Sequence, residues 1–130
     1  MNVLKKSQLL TDEYSVKILM ATTKTPRSAQ WISDRYDIPI AACYRRIKDL
    51  ETHGLIECHE KKLSQKGKRV AYYMSPLKKA LLYFEDGHLR VKFQMITDEN
   101  GEGEGWKELS LKDLRDEGDP LGTGNHGVNA

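Results

Sequence analysis

The chain has 130 residues, with 21 Lys and Arg against 19 Asp and Glu, and a formal net charge of +2. This length suits one modest domain with an appendage. No apolar run approaches the roughly 20 residues of a membrane span, and the first residues lack the apolar block of a signal peptide. Two cysteines fit neither a disulfide scaffold nor a CxxC site, so we expect a reducing, cytoplasmic setting.

The charges are unevenly distributed along the chain. Residues 1–96 hold 18 Lys and Arg against 10 Asp and Glu, whereas residues 97–130 hold 3 against 9. The body therefore carries +8 and the tail −6. A basic body with an acidic tail favours a polyanionic partner for the body, with a tail that stays solvated or competes for the basic surface.

The first predicted helix begins near Thr11, which follows an N-terminal arm over residues 1–10. Thr11 is a suitable N-cap, and the acidic residues that follow it favour the start of a helix. Lys24-Thr25-Pro26 ends the helix, because proline cannot continue it. The apolar stripe recurs at helical spacing and consists of Tyr14, Ile18, Leu19 and Ala21.

Two further helices are predicted on either side of a tight break at residues 37–39. Ser28 is a good N-cap for the helix that runs to Tyr36, Pro39 suits the first turn of the next, and Gly54 closes it as a C′ glycine. The third helix covers roughly residues 40–53. The inward faces consist of Ala29, Ile32, Ser33 and Tyr36 in one helix, and of Cys43, Ile47 and Leu50 in the other.

Two hairpins follow the helices. The first joins strands at residues 55–60 and 69–75 through a Lys-rich connection, in which Gly67 supplies positive φ. The second joins residues 79–84 to 88–95 through Asp86-Gly87, a strong hairpin signal. Its apolar face is too large for a lone hairpin in water and must be covered. That face consists of Leu89, Val91, Phe93 and Met95.

The remaining residues, 97–130, are polar and Gly-rich, and we expect most of them to be disordered. Ser110 and Asp113 form a capping pattern that indicates a helix of a turn or two. The whole pattern predicts an α+β fold. It is a winged helix-turn-helix of three helices and a β-hairpin wing over residues 11–76, followed by a second β-hairpin over 77–96 and a mostly disordered acidic tail.

The third helix carries a basic stripe opposite its core face. Arg45 is the candidate for a bidentate contact to guanine, whereas Arg46 and Lys48 suit phosphates. Small Ala41 and Ala42 permit close approach to base edges. An ordinary solvated helix face is the alternative. The predicted DNA-contacting residues of this helix are Ile40, Ala41, Tyr44, Arg45, Arg46 and Lys48.

Five cations surround the turn of the first hairpin. Such a loop, beside a helix-turn-helix, suits a wing that lies along phosphates or a minor groove and adds affinity rather than sequence choice. The alternative is an edge hairpin that carries Lys against aggregation, and both can hold together. The predicted wing residues are Lys61, Lys62, Lys66, Lys68 and Arg69.

The segments LLTDEYSVKIL, SAQWISDRYDIPIAACYRRIKDLETHGLIE and KKLSQKGKRVAYYMS resemble archaeal winged helix-turn-helix transcription regulators of the ArsR-like group. The resemblance covers residues 9–75 and is most specific from Asp37 to Ile56. It implies a homodimer that places two recognition helices in successive major grooves. It also implies groove contact for the exposed helix face, and a dimerisation role for the second hairpin. Ile40 and Ala41 depart from the polar residues common at the helix start.

The soft metal donors are few and poorly spaced. No CxC or HxxxH pair is present, so we expect neither a metal site nor a cofactor, and no small-molecule or metal effector. Exposed Cys58 leaves a thiol redox switch open. Trp31 is expected to be a half-buried rim residue, and docking of the 109–114 segment or of a partner is the alternative.

The sequence thus predicts a sequence-specific, double-stranded DNA-binding transcription regulator that acts as a homodimer. No phosphate loop, paired catalytic acids or Ser/His/Asp set is visible, so we expect no enzymatic activity. RNA binding lacks exposed aromatic platforms. The alternative function is a winged-helix protein–protein assembly module in the transcription machinery, with little direct DNA readout.

Overall fold

The computed structural model describes residues 3–96, together with the backbone of residues 105–110. The fold is α+β, with helices first and antiparallel strands after them. In chain order the elements are α1 (Val3–Thr11), α2 (Glu13–Thr22), β1 (Arg27–Ser28), α3 (Ala29–Tyr36), α4 (Ile40–Thr52), β2 (Glu57–Leu63), β3 (Arg69–Met74), β4 (Leu77–Glu85), β5 (His88–Met95) and β6 (Gly105–Ser110).

The number of helices differs from the prediction of three. Residues assigned to an N-terminal arm form α1, a nine-residue helix that ends at Thr11. The next helix, α2, is capped by Asp12 rather than Thr11, because the Asp12 carboxylate accepts a 2.9 Å hydrogen bond from the Ser15 backbone N–H. The structure therefore begins with a helical hairpin where the sequence predicted one helix.

The two helices on either side of the break at residues 37–39 were predicted correctly. Ser28 caps α3 by accepting a hydrogen bond from the Trp31 N–H, and Asp37 turns the chain in the left-handed conformation at φ 56°. Gly54, at φ 74°, ends α4. There the Gly54 N–H bonds to the carbonyl of Glu51 and the Leu55 N–H to that of Leu50. These two bonds form a Schellman motif, which supports the assignment of Gly54 as C′.

The predicted inward faces form one hydrophobic core. Cys43, Ile47 and Leu50 of α4 are buried, and so are Ile18 and Ile32 from the two preceding helices. Tyr14 and Tyr36 pack against this core while remaining partly exposed. The helical periodicity therefore identified which side of each of these helices faces inward.

The first sheet has the strand order β1-β3-β2, so the short strand before α3 pairs with β3. Leu55 and Ile56 precede β2 and are buried, whereas the strand itself extends to Leu63. Lys61 and Lys62 are therefore strand residues rather than loop residues as predicted. The turn spans residues 64–68, with Gly67 at φ 80° as expected.

The second sheet has the order β4-β5-β6. Asp86 and Gly87 both have positive φ, as a type I′ hairpin turn requires. The strand β6 pairs antiparallel with β5 and was not predicted, because residues 97–130 were expected to be mostly disordered. The predicted short helix after Ser110 lies outside the described residues.

The apolar face of the second hairpin is covered by the same chain. Helix α1 lies against β5, and Val3 and Leu9 belong to the same buried core as Val91 and Phe93. Val91 is 0 % exposed and Phe93 4 %. The cover that the sequence required for this face is therefore α1 of the same chain.

Ser75 connects the two sheets to the helical core. Its backbone N–H donates to the carbonyl of Thr22 at 2.9 Å, and its buried hydroxyl donates to the carbonyl of Leu55 at 2.7 Å. The same hydroxyl oxygen accepts from the Leu77 N–H at the start of β4. These bonds fix the direction in which the second hairpin leaves the helical core. Among the described residues, no helix is both long and apolar enough to cross a membrane.

Candidate nucleic-acid interface

The predicted contact face of α4 is exposed. Ala41, Tyr44, Arg45 and Lys48 all lie on the side of the helix that faces away from the core, and Tyr44 is 55 % exposed. Ile40 is exposed beside them at the helix start. Ala42, in contrast, is buried at the core edge and cannot offer close approach to a base as expected. The exposed arc therefore contains two cations, one phenol and two small or apolar side chains.

Arg46 faces the interior rather than the basic stripe. Its Nε donates to Oδ2 of Asp12 at 2.9 Å, and its Nη2 donates to Oδ1 at 3.3 Å. The guanidinium also lies 5.8 Å from the ring centroid of Tyr14. This bidentate ion pair joins the start of α2 to the middle of α4, so the guanidinium predicted to contact phosphate is bonded within the chain.

The Asp12 carboxylate is both the N-cap of α2 and the ion-pair partner of Arg46. The hydrogen bonds from Arg46 lower the pKa of Asp12 to about 2, more than burial raises it, and the Ser15 N–H adds to the effect. The same pair raises the pKa of Arg46. Because the charged form is favoured on both sides, the pair is intact throughout the neutral pH range.

Lys6 holds the other end of α4. It is buried, and its Nζ donates a 2.6 Å hydrogen bond to the carbonyl of His53, the C-cap residue. The same ammonium lies 5.5 Å from the ring centroid of Phe93 in β5. A cation at the C-terminus of a helix complements its macrodipole. The second sheet, α1 and the end of α4 are thus joined at one side chain.

Three of the five wing cations lie beside α4. Lys61, Lys68 and Arg69 line a cleft of about 550 Å³ together with Tyr44. No acidic residue lines it, and the start of α3 closes one side. Burial raises the pKa of Tyr73, which also lines the cleft, so its phenol remains a hydrogen-bond donor at neutral pH. Tyr44 is the α4 side chain that lines this cleft, so the exposed face of the helix and the three hairpin cations meet at its phenol.

The other two wing cations lie elsewhere. Lys62 alternates to the opposite face of β2, where its Nζ is 3.8 Å from Glu60 and 5.2 Å from the Tyr72 ring centroid. Lys66 is exposed in the turn, where its backbone N–H bonds to the hydroxyl of Ser64. Of the five predicted cations, three therefore line the cleft, Lys66 lies in the turn, and Lys62 lies on the opposite face of β2.

Trp31 is half-buried at the rim, as expected. The Arg27 guanidinium lies 3.8 Å from its ring centroid, and Tyr36 meets it edge to face. Cys43 is buried, and burial raises the pKa of its thiol, whereas Cys58 is exposed. In the part of the chain that the structure describes, no three His, Cys, Asp or Glu side chains lie together in a way that suits a metal ion.

The sequence did not predict that Lys6 and Asp12 position α4. It also did not predict that Leu63, at the end of β2, is 72 % exposed. For Asp12, the sequence of α4 does contain an indication. Arg46 follows buried Ala42 by one helical turn, so its side chain emerges at the core edge, where a cation needs an acid. Nothing in the sequence identifies which acid it meets.

The chain was compared with protein-family models and with curated proteins, and neither comparison finds a match.

Proposed function

We propose that this protein is a sequence-specific, double-stranded DNA-binding transcription regulator that acts as a homodimer. The observation that carries the proposal is the exposed, cationic face of α4 beside a cation-lined cleft of the first hairpin. An exposed helix with Arg45 and Lys48 projects beside a cleft with three cations and no acidic lining residue. A helix of these dimensions fits the major groove, and the adjacent hairpin then lies over flanking phosphates.

The roles within this surface follow from chemistry and position. Arg45 has the planar fork that matches the acceptors of guanine, so we assign it base readout. Lys48, Lys68 and Arg69 suit phosphates, which supply affinity without sequence information. Arg46 is left out of the contact set, since its guanidinium is bonded to Asp12. Lys62 is left out because it lies behind the wing.

The test is the binding of purified protein to a random duplex pool at several salt concentrations, with sequencing of the bound fraction. We expect a steep salt dependence and an enriched inverted repeat. Arg45→Ala should cost roughly 1–3 kcal/mol on the enriched site and relax its sequence preference. Lys24→Ala removes an exposed cation outside this surface and serves as the matched control. If both variants bind the enriched site equally well, the recognition role of Arg45 is wrong.

The alternative, a protein–protein assembly module, has one observation in its favour. Met20 is 66 % exposed beside a second open cleft that Trp31, Tyr36, Arg27 and Arg35 also line. Aromatic, Met and Arg side chains are enriched at protein interfaces. Weak, unenriched DNA binding by the wild-type chain would favour this function over DNA readout.

A further inference from the structure

The second sheet exposes one edge. In the order β4-β5-β6, strand β4 pairs with β5 on one side and, among the described residues, has no strand on the other. Nine residues long, it carries the exposed apolar side chains Leu81, Leu82 and Phe84, of which Phe84 is 77 % exposed. Long apolar edges are normally shielded, because their backbone N–H and C=O groups pair readily with another strand. We therefore expect another strand to pair with this edge.

We propose that β4 pairs antiparallel with β4 of a second copy of this chain, joining the two sheets into one of six strands about a twofold axis at Leu82. In an antiparallel pair, residues directly opposite each other lie on the same face. A twofold axis perpendicular to the sheet places a residue opposite itself, so the choice of central residue fixes every other pair.

The central position of Leu82 makes the strand self-complementary on one face. Lys79, Leu81, Tyr83 and Glu85 alternate on the side away from α1. About Leu82, Lys79 lies opposite Glu85 of the second copy, and Leu81 opposite Tyr83, each pair occurring twice. Opposite charges directly across a strand pair stabilise it, and aliphatic–aromatic pairs do so as well.

The other face is also complementary. This face is the one on which α1 packs against the neighbouring strand β5. Its β4 residues are Ala80, Leu82 and Phe84, which pair with Phe93, Val91 and Leu89 of β5. In the proposed register Leu82 meets its own copy, and the large ring of Phe84 lies opposite small Ala80. The alternative register, centred on Leu81, instead places Lys79 opposite Tyr83 and Leu77 opposite Glu85, so it loses both ion pairs.

Lys79 already interacts within its own chain and is exposed. Glu85 likewise remains able to make this contact although it already has a partner in its own chain. Its Oε1 is 3.3 Å from Nε of Arg90, and its side chain is more than half exposed. The proposal deepens the proposed function, since it supplies the interface that a homodimeric regulator needs. The interface uses the edge of the second hairpin and not its apolar face, whose centre at Val91 and Phe93 is covered by α1.

The experiment is analytical ultracentrifugation of the full chain without DNA, over a range of protein concentrations. We expect the wild type to dimerise, and Lys79→Glu to raise the dimer dissociation constant about tenfold or more, because two attractive pairs become repulsive. Glu85→Lys should do the same. The double exchange, Lys79→Glu with Glu85→Lys, should restore dimerisation, while Lys24→Glu, an equal charge change elsewhere, should have no effect.

Three outcomes would overturn the proposal: a monomeric wild type, single variants that dimerise as well as the wild type, or a double variant that fails to recover. A wild type that is monomeric would leave the edge to a strand of another protein. Leu82→Asp provides a second measurement at the axis, where two carboxylates would meet. Failure here is distinguishable from failure of DNA binding, because a monomer with an intact α4 still discriminates a single half-site from its scrambled version.

Discussion

The two long hairpins of this protein, β2–β3 and β4–β5, are both antiparallel and both rich in Lys and aromatic residues, yet they differ in what lies against them. All seven residues of β2 are exposed, and no helix covers them within the described part of the chain. In β5, the inward residues Val91 and Phe93 are buried under α1. In the first hairpin the outer strand β2 is thus accessible to a partner, whereas in the second hairpin β5 is part of the scaffold and the outer strand β4 is the accessible edge.

The difference shows that alternation in a strand indicates two faces but not which face is covered. Leu63 in the first hairpin and Phe93 in the second are both large apolar side chains on alternating strands, with opposite exposure. The element that decides is α1, which reaches β5 and not β2. Three pairs of substitutions test this contrast, from the largest expected effect to the smallest.

The first pair compares the apolar residues of the two hairpins. Phe93→Ala should lower the free energy of unfolding by about 3–5 kcal/mol, because it leaves a cavity between α1 and β5. Leu63→Ala should change it by no more than about 0.5 kcal/mol, since that side chain is already in water. Urea unfolding followed by circular dichroism measures both. An equally large loss for Leu63→Ala would contradict the assignment of the wing as an uncovered surface.

The second pair compares two ion pairs, one partly buried and one exposed. In α4, Arg46 is bonded to Asp12, whereas its neighbour Arg45 is exposed. Asp12→Asn keeps a good N-cap but removes the carboxylate, so we expect a loss of about 1–2 kcal/mol at neutral pH, less than the full pKa shift implies because solvent screens the pair. Glu13→Gln, which removes the exposed pair with Lys17, is the control, and we expect a much smaller loss because this pair is surrounded by solvent.

The pH dependence of that loss has a definite sign. The pKa of Asp12 is lowered in the folded protein, from 3.8 to about 2. Its contribution to stability is therefore complete above pH 4 and disappears as the pH falls toward 2. The difference between wild type and Asp12→Asn should narrow in unfolding experiments below pH 4. A constant difference across that range would show that the ion pair is not the source of the loss.

The third pair compares two cations of the wing itself. Lys68 lines the cleft beside α4, whereas Lys62 lies on the opposite face of the strand. If the basic surface binds DNA as proposed, Lys68→Ala should make the salt dependence of binding less steep by about one unit, with little change in sequence preference. Lys62→Ala should leave the slope unchanged. Equal effects of the two would indicate that the wing meets DNA by both faces.

Local chemistry allowed much of α3, α4 and both hairpins to be predicted from the sequence. Ser28 caps a helix, Gly54 ends one and Asp86-Gly87 turns a hairpin through bonds to residues only a few positions away, so the neighbouring sequence contains the whole cause. The same holds for the exposed stripe of α4, because helical periodicity alone separates Arg45 from Cys43. These elements need no knowledge of the rest of the chain.

The formation of α1 and the role of Arg46 were decided by tertiary structure, because each depends on a residue or strand far away in the chain. Helix α1 is too short and too polar to be stable alone, and it forms against a strand that begins some 80 residues later. Arg46 belongs to the scaffold because Asp12, 34 residues earlier, lies within reach of it. The sequence determined which side chains are cationic or apolar, and the packing of α1 and α2 determined which of them remain available to a partner, since burial is a property of the neighbours and not of the residue.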